Sequence, residues 1–165
     1  MKVTIVIPNY NGENYLRNCL ESLEHQEYRD FEVVIIDNCS QDKSLEVLED
    51  YKHIRLISLS ENYGFSRAVN EGIKAAKGEY IVLLNNDTVA TPTWLKELVG
   101  ALEQDPLLFS CCSKMLRHDD KNLIDDAGDE YNLLGWSYKR GDGKHKDSYG
   151  LKNRPVFSSC AGAAI

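Results

Sequence analysis

Residues 78–89, GEYIVLLNNDTV, decide the fold. An apolar and aromatic run from Tyr80 to Leu84 stops abruptly at Asn85, Asn86 and Asp87. The run is too short for a helix and is bounded by turn formers, so it reads as a buried strand. A strand that is apolar on both faces belongs in a parallel sheet covered on both sides. Ligands of such sheets bind beyond the carboxyl ends of the strands, which is where Asp87 falls.

Working outward, three more strands are expected: VTIVI over 3–7, FEVVII over 31–36 and IRLISL over 54–59. Helical spacing fills the gaps between them. From Glu13 to near Gln26, Tyr15, Leu16, Cys19, Leu20 and Leu23 share one face. Ser40 or Asp42 can cap a second helix with Leu45, Leu48 and Tyr51 inward. A third spans 68–76, with Val69, Gly72, Ile73 and Ala76 inward and Gly78 past its end. After the central strand, Thr91-Pro92 supplies an N-cap and a first-turn proline. Trp94, Leu95, Leu98, Val99 and Leu102 then form an apolar face that stops before Asp105-Pro106. This alternation predicts a Rossmann-like, three-layer α/β/α sandwich with a mostly parallel central sheet.

The remainder reads differently. LLFSCCS over 107–113 is expected to be another buried strand. Residues 119–150 are polar and glycine-rich, with a charged patch from Lys139 to Asp147, and predict loops, short strands and mobility. PVFSSCAGAAI over 155–165 turns apolar again just where the chain stops. That abrupt end suggests a piece of a longer protein, divided into a βα half over 1–105 and the start of a second half over 106–165.

Composition narrows the classes. A chain of 165 residues with 42% hydrophobic content can bury a real core. A net charge of -7 argues against free nucleic acid as a partner. The five cysteines, Cys19, Cys39, Cys111, Cys112 and Cys160, include no CxxC pair. Free thiols in a reducing compartment are expected, rather than a disulfide framework or a zinc site. The start, MKVTIVIP, is too short for a signal peptide, and no apolar run reaches the length of a membrane span. A soluble cytoplasmic protein is the expectation.

Polar clusters come after each strand: Asn9 to Gly12, Asp37 to Ser40, Asn62 to Phe65, and Asn85 to Asp87. In a parallel sheet all four share one edge. Each alone is an ordinary βα turn, because Asn, Asp, Ser and Gly favour turns. Four together, with bare carboxylates at Asp37 and Asp87, point to a binding site. A carboxylate flanked by two amides, as at Asp87, can hold a divalent cation that bridges to a diphosphate.

Taken together, these stretches resemble a known family. IVIPNYNGENYLRNCLESLEHQEYRDFEVVIIDNCSQDKS is similar to the opening of family 2 glycosyltransferases of the GT-A fold. ENYGFSRAVNEGIKAAKGEYIVLLNNDTV resembles their donor-site half, in the rhamnosyltransferase-like branch, where an Asp-x-Asp element takes the form Asn-x-Asp-Thr. The likeness covers most of residues 3–105, and IDDAGDEYNLLGWSYKRG and PVFSSCAGAAI resemble the later segments of that branch.

The resemblance implies roles. Pro8, Asn9, Tyr10 and Asn11 would line a nucleobase pocket, and Asp37, beside Asn38, would accept from the N3–H of uracil or thymine. An ionised carboxylate can only accept, so this geometry would select pyrimidines with that N–H. Asn62, Gly64 and Phe65 would underlie the ribose and diphosphate, with Asn70 bracing them. Asn85 and Asn86 would touch the ribose or orient the loop, and Asp87 would bind Mg²⁺ or Mn²⁺. With Asn at position 85, cation binding is expected to be weak without the diphosphate. Plainer readings stand beside these: Asp37 as a loop cap, Asn70 as a solvated side chain, and Asp87 as a turn acid.

The implied activity is inverting transfer from a nucleoside-diphosphate sugar, with UDP or dTDP favoured, to a glycan or lipid-linked acceptor. It would take place in the cytoplasm, with peripheral membrane association at the inner face. The general base is expected beyond residue 165, so these residues alone are expected to transfer sugar poorly. Asp125, Asp126 and Asp129 are not placed as that base by the resemblance. A sugar-phosphate nucleotidyltransferase is an alternative, although IPNYNGENY lacks its Gly-rich, basic signature. A non-catalytic nucleotide-binding module is another. The four histidines show no ligand spacing, and Cys111-Cys112 reads as core. Lys139, Arg140, Lys144 and Lys146 read as a solvated loop, and Trp136 as packing or an acceptor-cleft wall.

Overall fold

The computed structural model describes residues 1–147, 156 and 163–164. It divides into two compact units, residues 1–100 and 101–164. The division falls inside the fourth helix.

The first unit is built on β1 (Val3–Asn9), β2 (Phe31–Asp37), β3 (Arg55–Ser58) and β4 (Tyr80–Leu84). All pair in parallel, in the order β3-β2-β1-β4. β1 and β2 are central and their apolar residues are buried on both faces, as their β-branched runs predict. The register sets Asn9 beside Asp37 and Asp37 beside Ser58, so the polar clusters share one edge.

The helices are α1 (Leu16–Glu24), α2 (Ser44–Val47, continued by a 3-10 turn Leu48–Asp50), α3 (Phe65–Ala75) and α4 (Trp94–Gln104). α3 covers one face of the sheet, where Ala68 packs with Val6, Val34 and Ile36. It lies very close: a Cβ on Gly72 would sit 2.2 Å from Val6 Cγ1. Gln26, fully buried, joins α1 to α4. Its Nε2 donates to Ser22 O and Thr91 O, and its Oε1 accepts the Leu95 N–H at 3.0 Å. The expected three-layer sandwich is therefore present.

Several local expectations need correction. α4 begins at Trp94, and Thr91 serves as a carbonyl acceptor for Gln26 and Trp94 rather than as the side-chain cap. α3 begins three residues early because Gly64 releases the chain into the helix. Leu45 and Ile73, expected inward, are exposed, whereas Val47 and Ala68 are buried. The short α2 passes into a 3-10 turn, and that change of pitch rotates the buried face away from the ideal helical spacing.

Among its described residues the second unit holds two antiparallel pairs: β5 (Met115–Leu116) with β6 (Ile124–Asp126), and β7 (Asp129–Tyr131) with β8 (Ser137–Lys139). The buried strand expected over 107–113 is instead a turn and then irregular chain, with Leu107 and Phe109 90% and 97% exposed. Asp105 causes the turn: its carboxylate accepts the Leu107 N–H and its carbonyl the Leu108 N–H. The expectations for 148–155 and for most of 155–165 lie outside the described residues. No helix among the described residues is long and apolar enough to cross a membrane.

Candidate functional site

The carboxyl ends of the four parallel strands open into a cleft of about 400 Å³. Of the residues expected at a site, the structure brings Pro8, Asn9 and Tyr10 to this cleft from the end of β1, and Asn38 from the end of β2. Asn62, Gly64 and Phe65 come from the loop that opens α3, and Asn85, Asn86 and Asp87 from the end of β4. Ala68, one turn into α3, also lines it and was not foreseen, because a small apolar helix residue carries no chemical signal. Asp37, Asn11 and Asn70 are not among the lining residues.

Asparagine side chains tie the loops together. Asn38, 4% exposed, donates from Nδ2 to Asn62 Oδ1 at 2.7 Å and accepts the Tyr63 N–H at 2.9 Å. Asn62 Oδ1 also takes the Gly64 N–H at 2.9 Å, leaving its own NH₂ group uncommitted among the described residues. Gly64 itself stands at φ 83°, ψ 167°, a conformation that essentially only glycine tolerates. No side chain caps α3 behind it. The first N–H groups of an 11-residue helix, with their partial positive charge, therefore face the mouth beside Phe65.

Asp37 is 1% exposed and braces its own loop. Oδ1 accepts from Asn9 Nδ2 at 3.0 Å and from Ser40 Oγ at 2.6 Å, and Oδ2 accepts the Ser40 N–H at 3.1 Å. The loop-cap role is thus real. An ionised carboxylate offers about four acceptor sites, so about one stays uncommitted. Ser40 Oγ further accepts the Asn11 N–H, and Asn11 Oδ1 the Gln41 N–H, which holds Asn11 at φ 52°. Ser44 Oγ takes the Gly12 N–H at 2.8 Å. Gly12 and Ser40 stood in the expected strand-end clusters; the brace that sequence reasoning missed is Ser44, whose only signal is its place after a run of turn formers.

At β4 the chain makes a tight turn. The Asn85 carbonyl accepts from Thr88 Oγ1 at 2.7 Å and the Thr88 N–H at 3.3 Å, with the Cys19 thiol 3.7 Å below it. Burial pushes that thiol up to about 12. Asn86 Nδ2 donates to Asn9 Oδ1 at 2.7 Å, which ties the turn to β1 and uses one of the two N–H donors of its amide. Asp87 is exposed at the tip and makes no hydrogen bond or ion pair among the described residues. No group of three or more His, Cys, Asp or Glu among the described residues could hold a metal. The donor set therefore fits a cation only when a diphosphate supplies further oxygens.

The family model described as glycosyl transferase family 2 matches residues 4–163. An uncharacterized glycosyltransferase of Haemophilus influenzae is 28% identical over 85% of this chain and 42% of that protein. Among solved structures, residues 1–349 of Staphylococcus aureus TarS in complex with UDP-GlcNAc match with a TM-score of 0.66 and 26% identity, over 73% of this chain and 36% of that one. The mannosyltransferase PcManGT of Pyrobaculum calidifontis in complex with GDP-Man and Mn²⁺ has the same fold, with a TM-score of 0.65 and 22% identity, over 84% of this chain and 44% of that one. The chain spans less than half the length of these curated relatives.

Proposed function

The chain belongs to glycosyltransferase family 2 and has the GT-A fold, and from that premise we propose that its strand-end cleft binds a nucleoside-diphosphate sugar for transfer of the sugar to a glycan or lipid-linked acceptor. The observation that carries this reading is the convergence of four strand-end loops on one cleft that combines aromatic rings, a helix N-terminus and an unpartnered carboxylate. The nucleotide sugars bound by TarS and PcManGT support it.

Tyr10 and Phe65, 47% and 60% exposed, offer flat faces to a base and ribose. The α3 N-terminus suits the diphosphate, offsetting the repulsion of an acidic chain. The uncommitted amides of Asn62 and Asn85 suit sugar hydroxyls. Asp37 has about one acceptor site left, which a uracil or thymine N3–H would take once the base displaces the residues that cover it, and on that ground UDP or dTDP is favoured. Asp87 would hold Mg²⁺ or Mn²⁺ together with the diphosphate, as the Mn²⁺ beside PcManGT supports. Such a cation supplies charge neutralisation to the departing diphosphate.

The transfer we propose is inverting, with a carboxylate base deprotonating the acceptor hydroxyl. The Asn-x-Asp-Thr form of residues 85–88 favours a rhamnosyl or related donor in polysaccharide synthesis. We place it in the cytoplasm at the inner membrane face, consistent with the free thiols of Cys19 and Cys39.

Calorimetric titration of UDP, dTDP, GDP and ADP, with and without Mn²⁺, tests the reading. UDP or dTDP should bind in a Mn²⁺-dependent manner, and Asp87→Ala should abolish that dependence. Absence of any nucleotide binding by the wild-type chain would overturn it.

A further inference from the structure

The side chain of Asn9 is 1% exposed and is divided among three partners. Nδ2 donates to Asp37 Oδ1 at 3.0 Å and Ser40 Oγ at 3.2 Å on one side, and Oδ1 accepts from Asn86 Nδ2 at 2.7 Å on the other. The direction of this chain of bonds is fixed chemically. A carboxylate only accepts, so Asp37 compels Asn9 to present its NH₂ group. The Asn9 carbonyl then faces Asn86, which must donate. Turning over either amide would set oxygen against oxygen or NH₂ against NH₂.

Space has been kept for the second bond. A Cβ on Gly12 would lie 2.2 Å from Asn9 Oδ1 and 2.3 Å from Asn86 Nδ2. The turn that the bond reaches is held at its ends through the Asn85 carbonyl, by Thr88 and Cys19. Among the described residues, the side-chain tie at its middle is the one from Asn86 to Asn9. Asp87, the next residue, has none.

We propose that Asn9 is a positioning residue. It transmits the orientation set at Asp37, on one side of the cleft, to the Asn85–Thr88 turn on the other, and so holds Asp87 where a cation shared with a diphosphate would meet it. The inference rests on the donor-site reading above.

The test is the ratio of nucleotide affinities with and without Mn²⁺, measured by calorimetry for UDP and dTDP on the chain and its variants. Asn86→Ala should lower that ratio about tenfold, the equivalent of one well-placed hydrogen bond. Asn9→Ala should do the same, and the double variant should fall no further than either single one. Asn9→Asp sets carboxylate against carboxylate and should lose the ratio. Adding Asp37→Asn should restore it, because the exchanged pair rebuilds every bond in the chain even where absolute affinity falls.

A merely structural role would lower both affinities by one factor, leave the ratio unchanged and gain nothing from the exchange. If Asn9→Ala fails to fold, Asn86→Ala and the exchanged pair decide. Additive losses, an unmoved ratio in Asn86→Ala, or a wild type that binds nucleotide with no gain from Mn²⁺ would each overturn the inference and leave nucleotide binding standing. A wild type that binds neither nucleotide overturns the donor-site reading and this inference with it.

Discussion

The thiol of Cys19, on α1, lies 3.7 Å beneath the carbonyl of Asn85, where the β4 turn begins. Burial, the dominant cause, raises its pKa to about 12. At pH 8 it should therefore carry roughly three orders of magnitude less thiolate than an ordinary cysteine. Ellman's reagent should react rapidly with half-buried Cys39 and far more slowly with Cys19, as peptide mapping would show. The linkage has a definite sign. The unfolded thiol ionises above about pH 8.5 while the native one stays protonated. This contribution to stability is full below that pH and declines as pH rises toward 12, which urea titrations across the range would detect.

Gly12→Ala should destabilise the chain by about 1–3 kcal/mol, because the methyl group would occupy the path of the Asn9–Asn86 bond. Chemical denaturation measures the loss. A variant as stable as wild type would mean that the loop moves aside freely.

Gly64 and Gly100 make an internal contrast. A Cβ on either meets nothing within 4 Å, but Gly64 stands at positive φ, whereas Gly100 lies inside α4. Gly64→Ala should cost about 1–3 kcal/mol through backbone strain alone. Gly100→Ala should stabilise by about 0.5–1 kcal/mol through helix propensity. Thermal melts should shift in opposite directions.

Asn38→Ala should cost about 1 kcal/mol, since it strands the part-buried Tyr63 N–H and frees Asn62. Nucleotide affinity should fall with it, because the 62–64 loop loses its clasp. An unchanged calorimetric affinity would show that the loop is held by other means.

The sheet was legible because its strands are uninterrupted apolar runs of β-branched residues, and FEVVII admits no amphipathic helical face. The site was legible to the same depth: polar residues at strand ends must share an edge once the strands are parallel. What the sequence could not reveal was how side-chain amides divide their bonds. Asn85 and Asn86 look alike in sequence, yet among the described residues one amide makes no hydrogen bond and the other donates to Asn9. That difference depends on residues 77 positions apart. LLFSCCS misled for a related reason: apolarity marks a strand only if the chain enters it extended, and Asp105 bends the entry.

The contact between Gly72 and Val6 gives the sheet's interior a say in recognition. At 1.5 Å per residue, Gly72 and Phe65 are about 10 Å apart along α3. The helix acts as a lever with its fulcrum at that contact. A tilt of roughly 5°, such as one added methyl group at Val6 could impose, would move the cleft end by about 1 Å, a displacement large enough to matter for ligand positioning. Lineages of this chain could therefore retune what the cleft accepts without altering a residue that touches it, and a search for determinants of donor choice confined to the cleft's walls would overlook them.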